Sequence, residues 1–558
     1  MDSISRTVPA MLRRWATVNP DTPAFIYVDS AGGRNVLTGS HVYRFSSRYA
    51  AILRRNGVKP GTTVCNTLPN SPEGLLTDLG VILAGGVAMN GQLVLSDGED
   101  LVGNLKNSAA FAVILDPKNP KGAARVLEKR AHSKSECGQV GYCCVLCVNV
   151  PISDLSLKRV FEVDFERGGL EKRPLLQVLE KEQESFVADV TPRDTALIFT
   201  TSGSTGFSKL VPVSHENVLA LGDDLHEHLD HRPGEVIYND WSQGWGIGFP
   251  SMFLAHGITR VLLDTSAAAP EDALAFMWDV IRREQCTVAC LAPRELIKMT
   301  NLWHREQQAG QKRWQLRVIA SSGQPYRKTH MLVIGKITKS VLVVYGSTET
   351  AMMSTKLVTS SEDYVDCNNG TPLSGVKLRV VNTELQDQPV GQLGEILART
   401  SQLFDRYVNN DEATQRAFTE DGWYKTGDMG YFNDKGEIYT VCRSSYSIMR
   451  GSFLLYPGWL ERRISQCPGV EQILIVPVPD PLVFQEICAC VVPRPGAQLT
   501  SEGLTEFCKT LFLTSEKSEM TAVPKYYLFF DALPTTNTGK TSRRATEAVA
   551  RQRLGLEG

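Results

Sequence analysis

The densest chemical signal in the sequence is Thr200-Thr201-Ser202-Gly203-Ser204-Thr205-Gly206-Phe207-Ser208-Lys209. Glycines let backbone amides approach an oxyanion, hydroxyls donate hydrogen bonds and a lysine adds a point charge, so this composition suits a phosphate clamp. On composition alone, a surface turn rich in Ser, Thr and Gly fits as well. The common P-loop is a different pattern, with a glycine five positions before a Gly-Lys pair. The Gly-Lys-Thr at Gly539–Thr541 has Pro534 at that position, which excludes a P-loop kinase or ATPase there. Gly244–Gly248 (GWGIG) has part of a dinucleotide fingerprint at the wrong spacing and reads as a tight bend.

Elements are needed to carry such loops. Strand-like apolar runs alternate with helical patterns through about residue 440, the signature of a parallel α/β architecture. One unit reads directly: a strand at Arg260–Asp264, a helix over PEDALAFMWDVIRREQ with Pro270 in its first turn, then a strand at Thr287–Leu291. Leu274, Met277, Trp278 and Ile281 share one face of that helix, and the βαβ crossover is expected to be right-handed. Three further strands end in small polar loops: ALIFTTSGSTG from Ala196, LRVIASSGQP from Leu316 and VLVVYGSTET from Val341. Ligand crevices in parallel sheets lie beyond the carboxyl ends of strands, so these loops are expected to converge. Near Cys442–Ser447 the texture changes to shorter elements rich in Arg, Ser and Pro, ending in a basic helix, GKTSRRATEAVARQRL. The expected organisation is a large N-terminal α/β domain over 1–441, a hinge at 442–446 and a small α+β domain over 447–558.

Composition narrows the function classes. The chain has 558 residues, with 59 Lys+Arg against 61 Asp+Glu and a formal charge of −2. That balance argues against a general nucleic-acid binder, which needs a basic field. Hydrophobic residues at 42% provide for a sizeable core. No apolar stretch reaches the roughly 18 residues of a membrane span, and GLLTDLGVILAGGVAMN is interrupted by Asp78. The N-terminus, with Arg6, Arg13 and Arg14 but no apolar core, is not a secretory signal. It reads as a surface helix with Met11, Leu12 and Trp15 inward, with an organelle-import segment as the alternative. The expected location is cytoplasmic, mitochondrial import staying open. Cys137, Cys143, Cys144 and Cys147 cluster without the second ligand pair of a zinc site, and Tyr142–Val150 reads as a buried strand.

Taken in order, TTSGSTGFSK, SSGQP (Ser321–Pro325), YGSTE (Tyr345–Glu349), YKTGD (Tyr424–Asp428), Arg443 of VCRSS and LPTTNTGKTSRR with Lys540 resemble the adenylate-forming superfamily. That superfamily includes acyl-CoA synthetases, amino-acid adenylation domains and beetle luciferases, and the resemblance spans nearly the whole chain. It implies that a carboxylate attacks the α-phosphate of ATP, magnesium pyrophosphate leaves, and CoA takes the acyl group. Positioning and charge neutralisation dominate such transfers.

By the resemblance, Thr201, Ser202, Gly203, Ser204, Thr205, Gly206 and Lys209 hold the β- and γ-phosphates. Glu349 ligates Mg2+, and Thr348 donates to the α-phosphate. Ser322, Gly323, Gln324, Tyr345 and Gly346 line the adenine slot. Asp428 accepts from the ribose hydroxyls, assisted by Arg443. Lys540 is the catalytic lysine and Ser445 the hinge residue. Trp241, Trp245, Phe249 and Ser321, at the Ala320–Gly323 strand end, are the expected acyl-pocket walls, suiting a fatty or aromatic acid of moderate size.

The sequence also departs from the family pattern. Ser208 and Leu210 stand where proline and glycine are usual, Trp241 about where many members have histidine, and Cys442 precedes Arg443 in place of glycine. Ser452 falls at a glycine of the CoA tunnel, where a side chain narrows the passage. Asp240 precedes Trp245 with a gap one residue too long for an amino-acid adenylation domain. The expectation is therefore an acid–CoA ligase. The alternatives are an adenylating enzyme with another acceptor (an amine, a carrier protein or oxygen) and a degenerate adenylate-binding relic.

Overall fold

In a computed structural model the first helix runs over Val8–Val18. The Thr7 side chain accepts from the Ala10 amide and Pro lies in the first turn, two ordinary devices for starting a helix. Met11, Leu12 and Trp15 are buried, as their spacing predicts, and the Trp15 indole donates to Leu254 O at 2.8 Å. The structure describes every residue except 1–5, 92–98, 116–144, 147–158, 163–168, 202–208, 267–270, 309–313, 324, 444–447, 451–452, 456, 481–483, 513–521, 536–540 and 557–558. Cys137, Cys143, Cys144 and Cys147 lie outside the described residues; Val145–Leu146 form a short strand. Among the described residues no helix is long and apolar enough to cross a membrane.

Contacts divide the chain into two units, Met1–Lys377 with Ala398–Tyr424, and Leu378–Leu397 with Lys425–Gly558. The first unit contains a nine-stranded sheet. Its spatial order is Thr371–Pro372, Ala351–Val358, Val341–Ser347, Val318–Ser321, Val288–Cys290, Val236–Tyr238, Thr259–Leu263, Pro23–Val28 and Arg34–Thr38. The six strands from Val341–Ser347 through Pro23–Val28 are mutually parallel, and antiparallel strands close both edges. Such strands are covered on both faces, which is why IAS and VLVVY read as unbroken apolar or small runs. The expected βαβ unit is present as Thr259–Leu263, a helix at Ala273–Arg283 and Val288–Cys290, with Val236–Tyr238 lying between the two strands. Pro270 lies outside the described residues, and the side chain of Asp272 caps the helix.

A seven-stranded sheet in the same unit runs Val145–Leu146, Arg159–Glu162, Ala112–Leu115, Thr63–Asn66, Val87–Asn90, Thr195–Thr201 and Lys209–Ser214. Its inner strands are parallel, while Thr195–Thr201 and Lys209–Ser214 form an antiparallel pair at one edge.

The second unit holds all but a few strand-end residues of a four-stranded sheet, Lys377–Val381, Gly394–Arg399, Tyr424–Phe432 and Ile438–Arg443. It also holds a five-stranded sheet built on the long hairpin of Val470–Asp480 and Phe484–Pro493, with helices at Pro457–Ile464, Ser501–Phe512 and Arg543–Leu554. The last is the expected basic helix, capped by Ser542, whose side chain accepts from the Ala545 amide. By contacts, Asp428 and Arg443 belong to this unit.

Candidate active site

In the nine-stranded sheet the strands that end at Tyr238, Cys290, Ser321 and Ser347 are parallel. Their following loops therefore leave from one edge of the sheet, where ligand crevices of open α/β sheets form. Trp241, Trp245 and Phe249 follow the first of these strands, Ser322 and Gly323 the third, Thr348 and Glu349 the fourth. Gln324 lies outside the described residues.

The YGSTE segment forms the tight end of a hairpin between Val341–Ser347 and Ala351–Val358. Gly346 is needed there, because an added Cβ would sit 2.1 Å from Ala351 O. The buried Thr350 hydroxyl meets the Ser347 hydroxyl at 3.0 Å and accepts the Ser347 amide at 3.2 Å, which holds the turn closed. The turn leaves Thr348 half-buried and Glu349 8% exposed. Tyr345 is buried on the strand before it, and Gly323 adopts φ +98°, a conformation that favours glycine.

Thr201 and Lys209 pair across the edge hairpin of the other sheet, and the Thr201 hydroxyl donates to Lys209 O at 3.4 Å. Residues 202–208, including Ser202, Gly203, Ser204, Thr205 and Gly206, lie outside the described residues.

The two motifs meet through a residue that the sequence did not single out. The Tyr407 hydroxyl donates to Glu349 Oε1 at 2.8 Å. The Lys209 ammonium lies over the same ring, 4.8 Å from its centroid, within cation–π range. The signal for Tyr407 was weak: an aromatic in LFDRYVNN with no recognisable spacing to either motif. Among the described residues Glu349 Oε2 takes no hydrogen bond, so it is a free hard-oxygen donor. That suits Mg2+, which ordinarily takes one or two carboxylates and completes its shell with substrate phosphates and water.

The wall formed by residues 239–249 is fixed from behind. Buried Arg260 donates to Asn239 O at 2.6 Å, to Trp241 O at 3.0 Å and to Gly248 O. Asn70 adds bonds to Asp240 O at 2.8 Å and Trp241 O at 3.2 Å. Trp241 and Trp245 pack edge to face at 5.1 Å, and GWGIG forms a 3-10 turn at Gly246–Gly248. Asp240 Oδ2 accepts the Tyr238 hydroxyl at 2.8 Å, and burial raises its pKa. A cavity of about 50 Å³ opens beside Thr348, walled by Phe199, Val213, Leu221, Phe249 and Phe404. Of the expected acyl-pocket residues, Phe249 lines it. Trp241 and Trp245 do not, and Ser321 is fully buried, with its hydroxyl donating to Leu291 O at 2.6 Å.

In the second unit Asp428, 6% exposed, pairs across the sheet with Arg443. Its amide donates to the Thr426 hydroxyl at 3.0 Å, and that hydroxyl donates to Ile396 O at 2.7 Å. Burial raises the pKa of neighbouring Glu395; nearby Lys425 opposes the shift and Asp428 adds to it. Ser445 and Lys540 lie outside the described residues.

Comparison with known proteins agrees with this arrangement of motifs. The family model described as AMP-binding enzyme matches residues 12–408, and AMP-binding enzyme C-terminal domain matches 460–540. A curated relative, 4-coumarate–CoA ligase 4 of Arabidopsis thaliana, is 24% identical over 566 residues, covering 95% of this chain and 88% of that protein. ATP-bound MatB from Rhodopseudomonas palustris superposes with a TM-score of 0.76 at 22% identity, over 98% of this chain and 99% of that one. The amide bond synthetase McbA from Marinactinospora thermotolerans superposes at 0.75 and 20% identity, over 97% and 99%. With both family segments matched in order along the chain, the protein belongs to the AMP-binding enzyme family and is an adenylate-forming acid–thiol ligase of the acyl-CoA synthetase kind.

Proposed function

We propose that this protein activates a fatty or aromatic acid of moderate size with ATP and passes the acyl group to CoA. The observation that carries the reading is the shared ring of Tyr407, which joins the lysine of the glycine–hydroxyl loop to the acidic residue of YGSTE. A phosphate-binding cation and a carboxylate suited to a divalent cation thus stand in one site, as transfer of AMP from ATP requires. The mostly apolar walls beside Thr348 support an apolar acid.

In this reading Thr201–Lys209 hold the β- and γ-phosphates and Thr348 donates to the α-phosphate. Ser322, Gly323, Gln324, Tyr345 and Gly346 line the adenine slot. Asp428 and Arg443 take the ribose. Lys540 stabilises negative charge that grows as the carboxylate attacks, an interaction worth most in the transition state. The small domain over 447–558 then swings at 442–446, with Ser445 as pivot, to admit the thiol, a hinge motion in which few residues absorb the change. Glu349 would hold Mg2+, which would supply charge neutralisation for the pyrophosphate. Phe249 walls the acyl side directly, while Trp241, Trp245 and the buried Ser321 stand behind that wall without lining the cavity.

A second acceptor is worth testing, because an ungapped match to the family pattern puts Ser452 at the glycine of the thiol passage, with Gly451 one position early, and McbA, of the same fold, is an amide bond synthetase. The experiment is pyrophosphate release across a panel of carboxylic acids, short to long and aromatic, with CoA, with amines and with neither. Acid-dependent release with a CoA-thioester product supports the proposal. Release with an amide instead reassigns the acceptor, and no release with any acid overturns the reading.

A further inference from the structure

Tyr407 belongs to none of the sequence motifs, yet its neighbours tie it to two of them. Its side chain is 1% exposed. On one side the Phe404 amide donates to Glu349 O at 2.9 Å, and on the other the Val408 amide donates to Leu210 O at 3.0 Å. The segment 404–408 is therefore stitched to Glu349 at one end and to the residue after Lys209 at the other. Between these stitches the phenol hydroxyl holds Glu349 Oε1, and the ring face carries the Lys209 ammonium.

The chemistry of this arrangement lies in what it prevents. A lysine and a nearly buried glutamate on one ring would neutralise each other if they touched. Among the described residues Lys209 forms no ion pair with Glu349 or with any other carboxylate. A cation over a π-face is held more loosely than one in a desolvated ion pair, so its charge stays available to an anion. The hydroxyl meanwhile holds one carboxylate oxygen in place, so less side-chain freedom is left to lose when a cation binds. The second oxygen takes no hydrogen bond among the described residues.

We propose that Tyr407 is a positioning residue that keeps the acid and the cation of this site apart, each ready for its own partner. Glu349 is thereby presented to a divalent cation and Lys209 to phosphate. The inference rests on the reading of Glu349 and Lys209 given above and adds the residue that makes them compatible.

Two variants separate the two jobs. Tyr407→Phe keeps the ring and removes the hydroxyl; Tyr407→Leu removes both. Thermal stabilisation by ATP is measured with excess Mg2+ and with EDTA, alongside the Mg2+ dependence of acid-driven pyrophosphate release. Tyr407→Phe is expected to keep the ATP–EDTA stabilisation, lose most of the extra Mg2+ increment and need about tenfold more Mg2+ for half-maximal rate, the equivalent of about 1.4 kcal/mol. Tyr407→Leu is expected to lose the ATP–EDTA stabilisation as well, as Lys209 and Glu349 collapse onto each other. A Mg2+ dependence in Tyr407→Phe equal to wild type, or an equal loss in both media, overturns the proposal. Wild-type protein that ATP fails to stabilise, and that releases no pyrophosphate, overturns the functional reading itself.

Discussion

Arg260 donates through Nη2 to the carbonyl of Trp241 at 3.0 Å, holding from behind the loop whose side chains form one wall of the crevice. The guanidinium is buried and makes no ion pair among the described residues; its charge is spent on three carbonyl oxygens of the 239–248 segment. Removing it strands those carbonyls in low dielectric. Arg260→Met is expected to cost about 3 kcal/mol of stability, as hydrogen bonds to charged donors are worth ~1.5–3 kcal/mol and are missed more when a buried partner is left behind. Denaturant midpoints measure this. At permissive temperature the KM for the acid should rise several-fold more than that for ATP; a parallel rise in both would show that the loop serves no acid-specific purpose.

Thr426 makes a corresponding clamp in the second unit, donating to Ile396 O and accepting the amide of Asp428. Thr426→Val keeps the shape and removes both bonds, at about 1–3 kcal/mol for buried groups left unpaired. If Asp428 holds the ribose, the KM for ATP rises about tenfold, and Thr426→Ser restores it. Unchanged ATP kinetics in a folded Thr426→Val protein would remove Asp428 from the nucleotide site.

A pH dependence follows from Asp78, buried beneath the seven-stranded sheet with Asn66 Nδ2 donating to it at 2.7 Å and Asn90 Nδ2 at 3.4 Å. Burial pushes its pKa up to about 7 from 3.8, although both asparagines favour the charged form. Between those two values the folded state binds a proton that the unfolded state has released, so this group's contribution falls as pH rises from about 4 to about 7 and is level above. Unfolding free energies at pH 5 and pH 8 should differ by less in Asp78→Asn than in wild type. An identical difference in the two proteins would place the titration elsewhere.

Lys540 is expected to act in one half-reaction only. Lys540→Ala should reduce acid adenylation at least a thousandfold while leaving thioester formation from presynthesised acyl-adenylate within about tenfold of wild type, since only the first step develops the charge it stabilises. Rapid-quench measurement of each half-reaction decides this; comparable losses in both would mean another residue has that role.

The elements were legible because strands buried on both faces and helices buried on one carry their patterns locally. The helix Val8–Val18 with Met11, Leu12 and Trp15 inward, the parallel run through VLVVY, and the basic helix Arg543–Leu554 all stood in the residue order. So did the candidate phosphate loop and the YGSTE turn, since glycines, hydroxyls and charges at short spacing declare their chemistry without a partner. What the order of residues could not reveal is who stands beside whom across long loops. Glu349 and Tyr407 are 58 positions apart, and Trp241 and Arg260 are 19. Local pattern carries no trace of such pairings, because a tyrosine hydroxyl or a buried guanidinium finds its partner only after sheets have stacked and the intervening chain has paid its loop entropy. Tertiary packing therefore decided which acid and which cation share a ring, and which charge pins the wall of the crevice.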